Sequence, residues 1–102
     1  MAKIKYDPKD PDERDDFKLS WATRLAPIAD TIETSTWAIQ NDQSGSDNPA
    51  NVYDSDVLNE GKSTRLWLEG GVEGTTYEIL NEVITLGGRT LQATVYIPVK
   101  SH

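Results

Sequence analysis

Seventeen carboxylates and a single histidine are the acid–base inventory of this 102-residue chain. The histidine is His102, the last residue. A Ser–His–Asp relay needs its histidine held rigidly between two partners, and a chain end is a poor place for that. There is no cysteine, which excludes thiolate nucleophiles, thiolate metal ligands and disulfides. Two carboxylates can divide acid and base work only if an apolar, strand-end setting raises the pKa of one, and no pair here has that setting. Asp42, Asp47, Asp54 and Asp56 offer hard oxygen atoms of the kind calcium takes. They lack the ligand order, the glycine and the terminal glutamate of an EF-hand loop. Gly70-Gly71-Val72-Glu73-Gly74 is glycine-rich, but no lysine follows it and no helix opens after it. It reads as turn geometry, not as a phosphate cradle. Trp67 and Tyr96, if they face outward, are candidates for sugar stacking or for a protein contact. The residues therefore predict no catalytic group, no metal and no cofactor.

The formal net charge is −7 and the pI is about 4.5. Nucleic-acid binding needs clustered Lys and Arg to displace counterions, and anionic membranes repel such a chain. Neither nucleic acid nor membrane is an expected partner. The opening residues have no apolar core like that of a signal peptide. No run approaches the roughly 20 apolar residues of a membrane helix. Synthesis in the cytoplasm is the expectation.

The elements that would position any site read as strands. In Ser63–Val99, glycines punctuate three strand-like runs, and Gly87-Gly88 joins the last two as a hairpin. In Arg89–Val99 the odd residues Leu91, Ala93, Val95, Ile97 and Val99 point in, and Pro98 suits an edge strand. In Phe17–Leu25, Phe17, Leu19, Trp21, Thr23 and Leu25 share one face, so the stretch reads as one half-buried strand ended by Ala26-Pro27. In Asp30–Gln40, Ile32 has the wrong parity for Ser35, Trp37 and Ile39, which predicts a bulge near Glu33–Ser35. Asn41–Glu60 reads as an acidic loop with a brief strand in its second half. Gly74-Thr75-Thr76-Tyr77 resembles the tyrosine corner of fibronectin type III-like sandwiches, where the hydroxyl bonds nearby backbone. The expected fold is an all-β, Ig-like antiparallel β-sandwich over residues 17–102, preceded by an extended or disordered arm over 1–16.

Thr76–Leu86 is apolar on both faces. Tyr77, Ile79 and Val83 occupy one; Leu80, Ile84 and Leu86 occupy the other. The second face needs a cover, either the N-terminal arm or another protein. In the arm, Ile4 and Tyr6 stand at strand spacing ahead of Pro8 and Pro11 and suit docking on a neighbouring subunit. The candidate interface is thus Ile4, Tyr6, Trp67, Leu80, Ile84, Leu86 and Tyr96.

Several stretches also carry a family resemblance: Lys9–Glu13, Phe17–Trp21, Arg24-Leu25, Asp30-Thr31-Ile32-Glu33-Thr34-Ser35-Thr36-Trp37, Arg65–Gly71, Gly74–Tyr77 and Gly87-Gly88-Arg89-Thr90. In this order and spacing the chain resembles the fiber-tail adaptor, or tail-associated Ig-like, proteins of tailed bacteriophages. The resemblance spans Lys9 to Val99; the chain departs from it in the long acidic stretch Asn41–Glu60. It implies a non-enzymatic virion protein, present in several copies, that joins fibers or tailspikes to the tail tube or nozzle. A capsid cement protein and a carbohydrate-binding module using Trp67 and Tyr96 are the alternatives.

Overall fold

The structure, a computed structural model, describes residues 4–101. Alternating apolar residues over most of the chain can be buried by closing two sheets face to face, and the chain does so. One sheet has the order β1-β7-β6-β3 and the other β2-β5-β4. The strands are β1 (Ile4–Lys5), β2 (Arg14–Ser20), β3 (Ile32–Ile39), β4 (Asn51–Leu58), β5 (Ser63–Glu69), β6 (Thr76–Thr85) and β7 (Thr90–Pro98). All pairings are antiparallel except β1 with β7. Phe17, Leu19, Leu66 and Leu68 from one sheet meet Tyr77, Ile79, Val83, Val95 and Ile97 from the other. Each large side chain so buried contributes roughly 1.5–3 kcal/mol.

A polar stitch crosses this core. Asn81 is completely buried. Its Oδ1 accepts the Trp21 indole N–H at 3.1 Å and the Thr64 hydroxyl at 2.8 Å. Its Nδ2 donates to Ser35 Oγ and to the Thr36 carbonyl, both at 2.9 Å. Every hydrogen-bonding position of the amide is used, which is what lets a polar group stay inside.

Several sequence expectations meet their structures directly. β3 and β6 shift register between Ile32 and Thr34, leaving Glu33 as the bulge. The Tyr77 ring is buried, and its hydroxyl accepts the Val72 N–H at 2.9 Å. Leu91, Ala93, Val95, Ile97 and Val99 face inward as read. β7, however, is not an edge strand, since β1 pairs beyond it. Pro98 sits past the end of β1, where Lys9 N–H takes its carbonyl instead.

Other expectations change. The Phe17–Leu25 strand stops at Ser20, and the chain turns at Trp21 into a single helical turn, α1 (Ala22–Leu25), followed by a 3₁₀ turn at Ala26–Ile28. Thr23 is exposed, while Trp21 and Leu25 plug the end of the sandwich. The acidic stretch supplies an eight-residue strand, β4, with a second bulge at Tyr53. The segment 4–16 packs on its own domain, and β2 runs across the position where the arm was expected to end. Lys9 is 1% exposed, and its ammonium donates to the Asp10 and Gly70 carbonyls at 2.7 and 2.8 Å. Burial pulls its pKa below the usual lysine value.

Candidate functional site

The two outer faces of the sandwich differ in kind. On the β2-β5-β4 sheet, Leu66 and Leu68 point in, so Arg65, Trp67 and Glu69 point out. There the charges satisfy one another. Arg65 grips Asp56 with two hydrogen bonds, at 3.0 and 2.6 Å, and its guanidinium lies 5.3 Å from the Trp67 ring centre. The Arg65 hydrogen bond holds the Asp56 carboxyl below its ordinary pKa. Arg14 pairs with Glu69 at 2.9 Å and lies 3.6 Å over the Tyr53 ring. Trp67 is therefore half-buried under a charged lattice.

On the β1-β7-β6-β3 sheet the outer rows follow from register: Thr34–Ile84–Thr90, Thr36–Glu82–Gln92 and Ala38–Leu80–Thr94. Tyr96 follows in the next row, opposite Glu78 and Lys5. Leu80, Thr94 and Tyr96 are half-buried, and Ile84 is 42% exposed. Leu86 stands at the hairpin tip, 66% exposed, the most open of the large apolar residues described. The described part of the arm does not cover this face, because β1 lies on the far side of β7 from β6. Leu80, Ile84 and Leu86 thus fall along one line toward the tip.

The other predicted contact residues fall elsewhere. Ile4 pairs with Val95 and packs against the core. Tyr6 lies edge-on to Phe17, ring centres 5.3 Å apart, and its hydroxyl donates to the Lys18 carbonyl. It stitches the two sheets together, and burial pushes its pKa up to about 12. This pair of apolar residues at strand spacing finds its packing surface within the same domain. Trp67 and Tyr96 lie on opposite outer faces, so they cannot flank one sugar ring.

The carboxylates that raised the calcium question are dispersed. Asp42 accepts the Ser44 N–H and closes its own turn, and Asp56 is held by Arg65. Among the described residues no three His, Cys, Asp or Glu gather as a metal site. No described helix is long and apolar enough to cross a membrane.

Sequence reasoning missed the polar corner that rigidifies the tip. Asp30 is buried. Its carboxylate accepts the N–H groups of Thr31 and Gly87 at 2.9 and 3.0 Å and pairs with Arg89 at 3.1 Å. The Thr85 hydroxyl, those two N–H groups and Arg89 hold its pKa below the ordinary aspartate value. This ties the turn before β3 to the β6–β7 hairpin, 57 residues away. Only the co-occurrence of Asp30 and Gly87-Gly88-Arg89 in the family-like stretches hinted at it.

Charge is also sorted between the two ends. At the tip end the turns 21–31, 59–62 and 86–89 carry Arg24, Lys62 and Arg89 against Asp30 and Glu60. At the opposite end, segment 6–13 carries Asp7, Asp10, Asp12 and Glu13 against Lys9. The connections 40–50 and 70–75 add Asp42, Asp47 and Glu73, and Lys100 lies in the final residues. One end is thus net +1 and the other net −5 by these residues. A groove of about 580 Å³ opens at the acidic end, with Pro11, Gly71 and Val72 among its lining and Asp12, Asp47 and Glu73 on it.

No curated protein matches the chain. A family model described as podophage GP4 fiber-tail adaptor protein gp77 matches residues 9–98. That span takes in every paired strand from β2 to β7, the Asn81 stitch, the Asp30 corner and the acidic β4. By this match over most of its length, the chain belongs to this fiber-tail adaptor family of podophage structural proteins.

Proposed function

We propose that the chain joins fibers or tailspikes to the tail of a podophage through protein–protein contacts made by the outer face of the β1-β7-β6-β3 sheet. Exposed Ile84 and Leu86, with half-buried Leu80 beyond Glu82, carry this reading. Apolar residues that the described part of the arm leaves uncovered are what a contact surface requires, and the ion-paired opposite sheet has no comparable need. The fold reading that goes with it is an Ig-like sandwich. In support, β2-β5-β4 and β7-β6-β3 follow the B-E-D and G-F-C orders of Ig domains. Tyr77 at the start of the sixth strand makes the tyrosine-corner bond.

The test is incorporation. Phage carrying Ile84→Glu, at a position exposed enough to tolerate the charge, should assemble particles depleted of this protein and of fibers. Quantitative mass spectrometry of wild-type particles should give a copy number matching the tail. Copies that scale with the capsid lattice, or full incorporation of Ile84→Glu, would overturn the proposal.

A further inference from the structure

We propose that residues 4–9 change places between copies: the arm of one molecule docks in the seat that a second molecule's own arm otherwise fills. The inference does not use the outer sheet face. It rests on the adaptor reading only for the place where copies gather.

Three observations carry it. First, the seat is specific to this segment and is built by the body of the domain. Ile4 and Lys5 pair with Val95 and Tyr96. The Tyr6 N–H donates to the Tyr96 carbonyl at 3.0 Å and the Lys9 N–H to the Pro98 carbonyl at 2.8 Å, while the Lys100 N–H returns to the Lys9 carbonyl at 2.9 Å. The Tyr6 ring lies edge-on to Phe17, its hydroxyl bonds the Lys18 carbonyl, and the Lys9 ammonium reaches the Gly70 carbonyl. These partners all follow residue 16 in the chain. An arm arriving from another copy therefore makes the same bonds, which is the condition for exchange of an identical element.

Second, the arm is a separable unit. β1 is two residues long and lies at the edge of its sheet, and Lys9 adds one isolated bridge to Val99. The orders β7-β6-β3 and β2-β5-β4 do not run through it, so it can leave while the two larger ladders stay closed.

Third, the hinge is short and crowded with charge. Asp10-Pro11-Asp12-Glu13 carries the chain from Lys9, bridged to Val99 on one sheet, to Arg14, opposite Glu69 on the other. The Asp12 N–H bonds Asp10 Oδ1 at 2.8 Å, the Glu13 N–H bonds the Asp10 carbonyl at 3.1 Å, and the Asn48 amide bonds the Pro11 carbonyl at 3.3 Å. The first and last of these lie at the surface, where water replaces them when the turn opens. Opening also parts three carboxylates held within four residues. The residues before Pro8 and Pro11 favour extended backbone, so a released arm stays straight. Short hinges invite exchange.

An arm on a short hinge meets its own seat at an effective concentration of millimolar order. The seats of other copies compete once the chain itself is that concentrated, as copies gathered on a particle are. Opened, the span from Lys9 to Arg14 is at most about 17 Å, so exchanging bodies stay side by side.

The chain has no cysteine, so engineered cysteines report where the arm sits without background. Lys5→Cys and Tyr96→Cys are made as separate variants; the two positions face each other in the β1–β7 register, at a spacing a disulfide spans. Both lie outside the core, and thermal midpoints near that of wild type check the fold. The variants are mixed at millimolar concentration, diluted to micromolar and oxidised at once, so that chance collisions are suppressed while seated arms persist. The mixture should give a disulfide-linked heterodimer, and neither variant alone a linked dimer beyond a trace. Wild type held at millimolar concentration and then diluted should elute in part as a dimer or larger on size exclusion and relax to monomer with time. A heterodimer no more abundant than the homodimers, or a wild type monomeric at every concentration, would each overturn the proposal. A chain that enters particles but never exchanges would sink this inference and leave the adaptor reading intact; one that exchanges but never enters particles would do the reverse.

Discussion

Replacing Asn81 by alanine is expected to remove much of the stability of the domain. The amide is completely buried and makes four hydrogen bonds, to Trp21, Thr64, Ser35 and Thr36. Without it, Ser35 Oγ and the Thr36 carbonyl lose a donor. The Trp21 N–H can fall back on Thr64 Oγ, already 3.2 Å away, but the Thr64 hydroxyl proton then has no acceptor. At least two buried groups are left short, at about 1–3 kcal/mol each, and a cavity of side-chain size adds to that. The sum is about 3–6 kcal/mol, against a total of about 5–15 kcal/mol for a domain of this size. Thr64→Val should be milder, about 1 kcal/mol, because Asn81 still receives the indole proton. Urea unfolding followed by the fluorescence of the three tryptophans measures both. The double variant Asn81→Ala with Thr64→Val should cost more than either single change, since the buried Trp21 N–H then loses both of its acceptors. If Asn81→Ala cost under about 1 kcal/mol with an unchanged denaturant slope, the stitch would not be holding the sheets.

Three further outcomes follow from the same geometry. Asp30 has a folded-state pKa below its unfolded value, so its contribution is present above about pH 4 and is lost as pH falls through the lowered value; Asp30→Asn should flatten the acid limb of a plot of urea midpoint against pH. Tyr6 runs the other way, its pKa raised to about 12. Its contribution is complete below pH about 10 and lost as pH rises toward that value. Tyr6→Phe should abolish that alkaline loss and speed amide exchange in the arm. Gly87→Ala would place a Cβ 2.6 Å from Asp30 Oδ2, whereas Gly88→Ala meets open space and pays only for its φ of +86°, roughly 1 kcal/mol. Thermal unfolding should therefore show the Gly87 variant as the less stable.

Where a residue's role is set by its own strand, the sequence was legible. The alternation through Val99, the parity break at Ile32 and the tyrosine ahead of β6 each depend on neighbours a few positions away. The β2 reading failed at a spacing that cannot discriminate. Trp21 and Leu25 are four apart, which returns to the same face both in a strand and in a helical turn; only Thr23 differs, and it proved exposed. Lys9 was invisible for another reason. A lysine among aspartates reads as solvated, and nothing local says that the Gly70 carbonyl, 61 residues on, will meet its ammonium. The strand β4 hid behind Asp54 and Asp56, whose outward positions are acceptable because Arg65 and Trp67 lie across from them. The outward facing of Leu80, Ile84 and Leu86 was readable because β6 had apolar residues to spare. The packing of Ile4 and Tyr6 on their own domain was not, because side-chain type does not tell whose surface a strand will meet.

The two bulges, at Glu33 on β3 and Tyr53 on β4, sit on the strands that end each sheet along one flank. A straight outer strand invites the next molecule's backbone to zip onto it, and such zipping has no natural stopping point. A kink in each rail interrupts the ladder of amides that an incoming strand would need. On this flank, crowded copies of the chain are thereby steered away from backbone pairing, and recognition is left to side chains, which can be selective about what they touch.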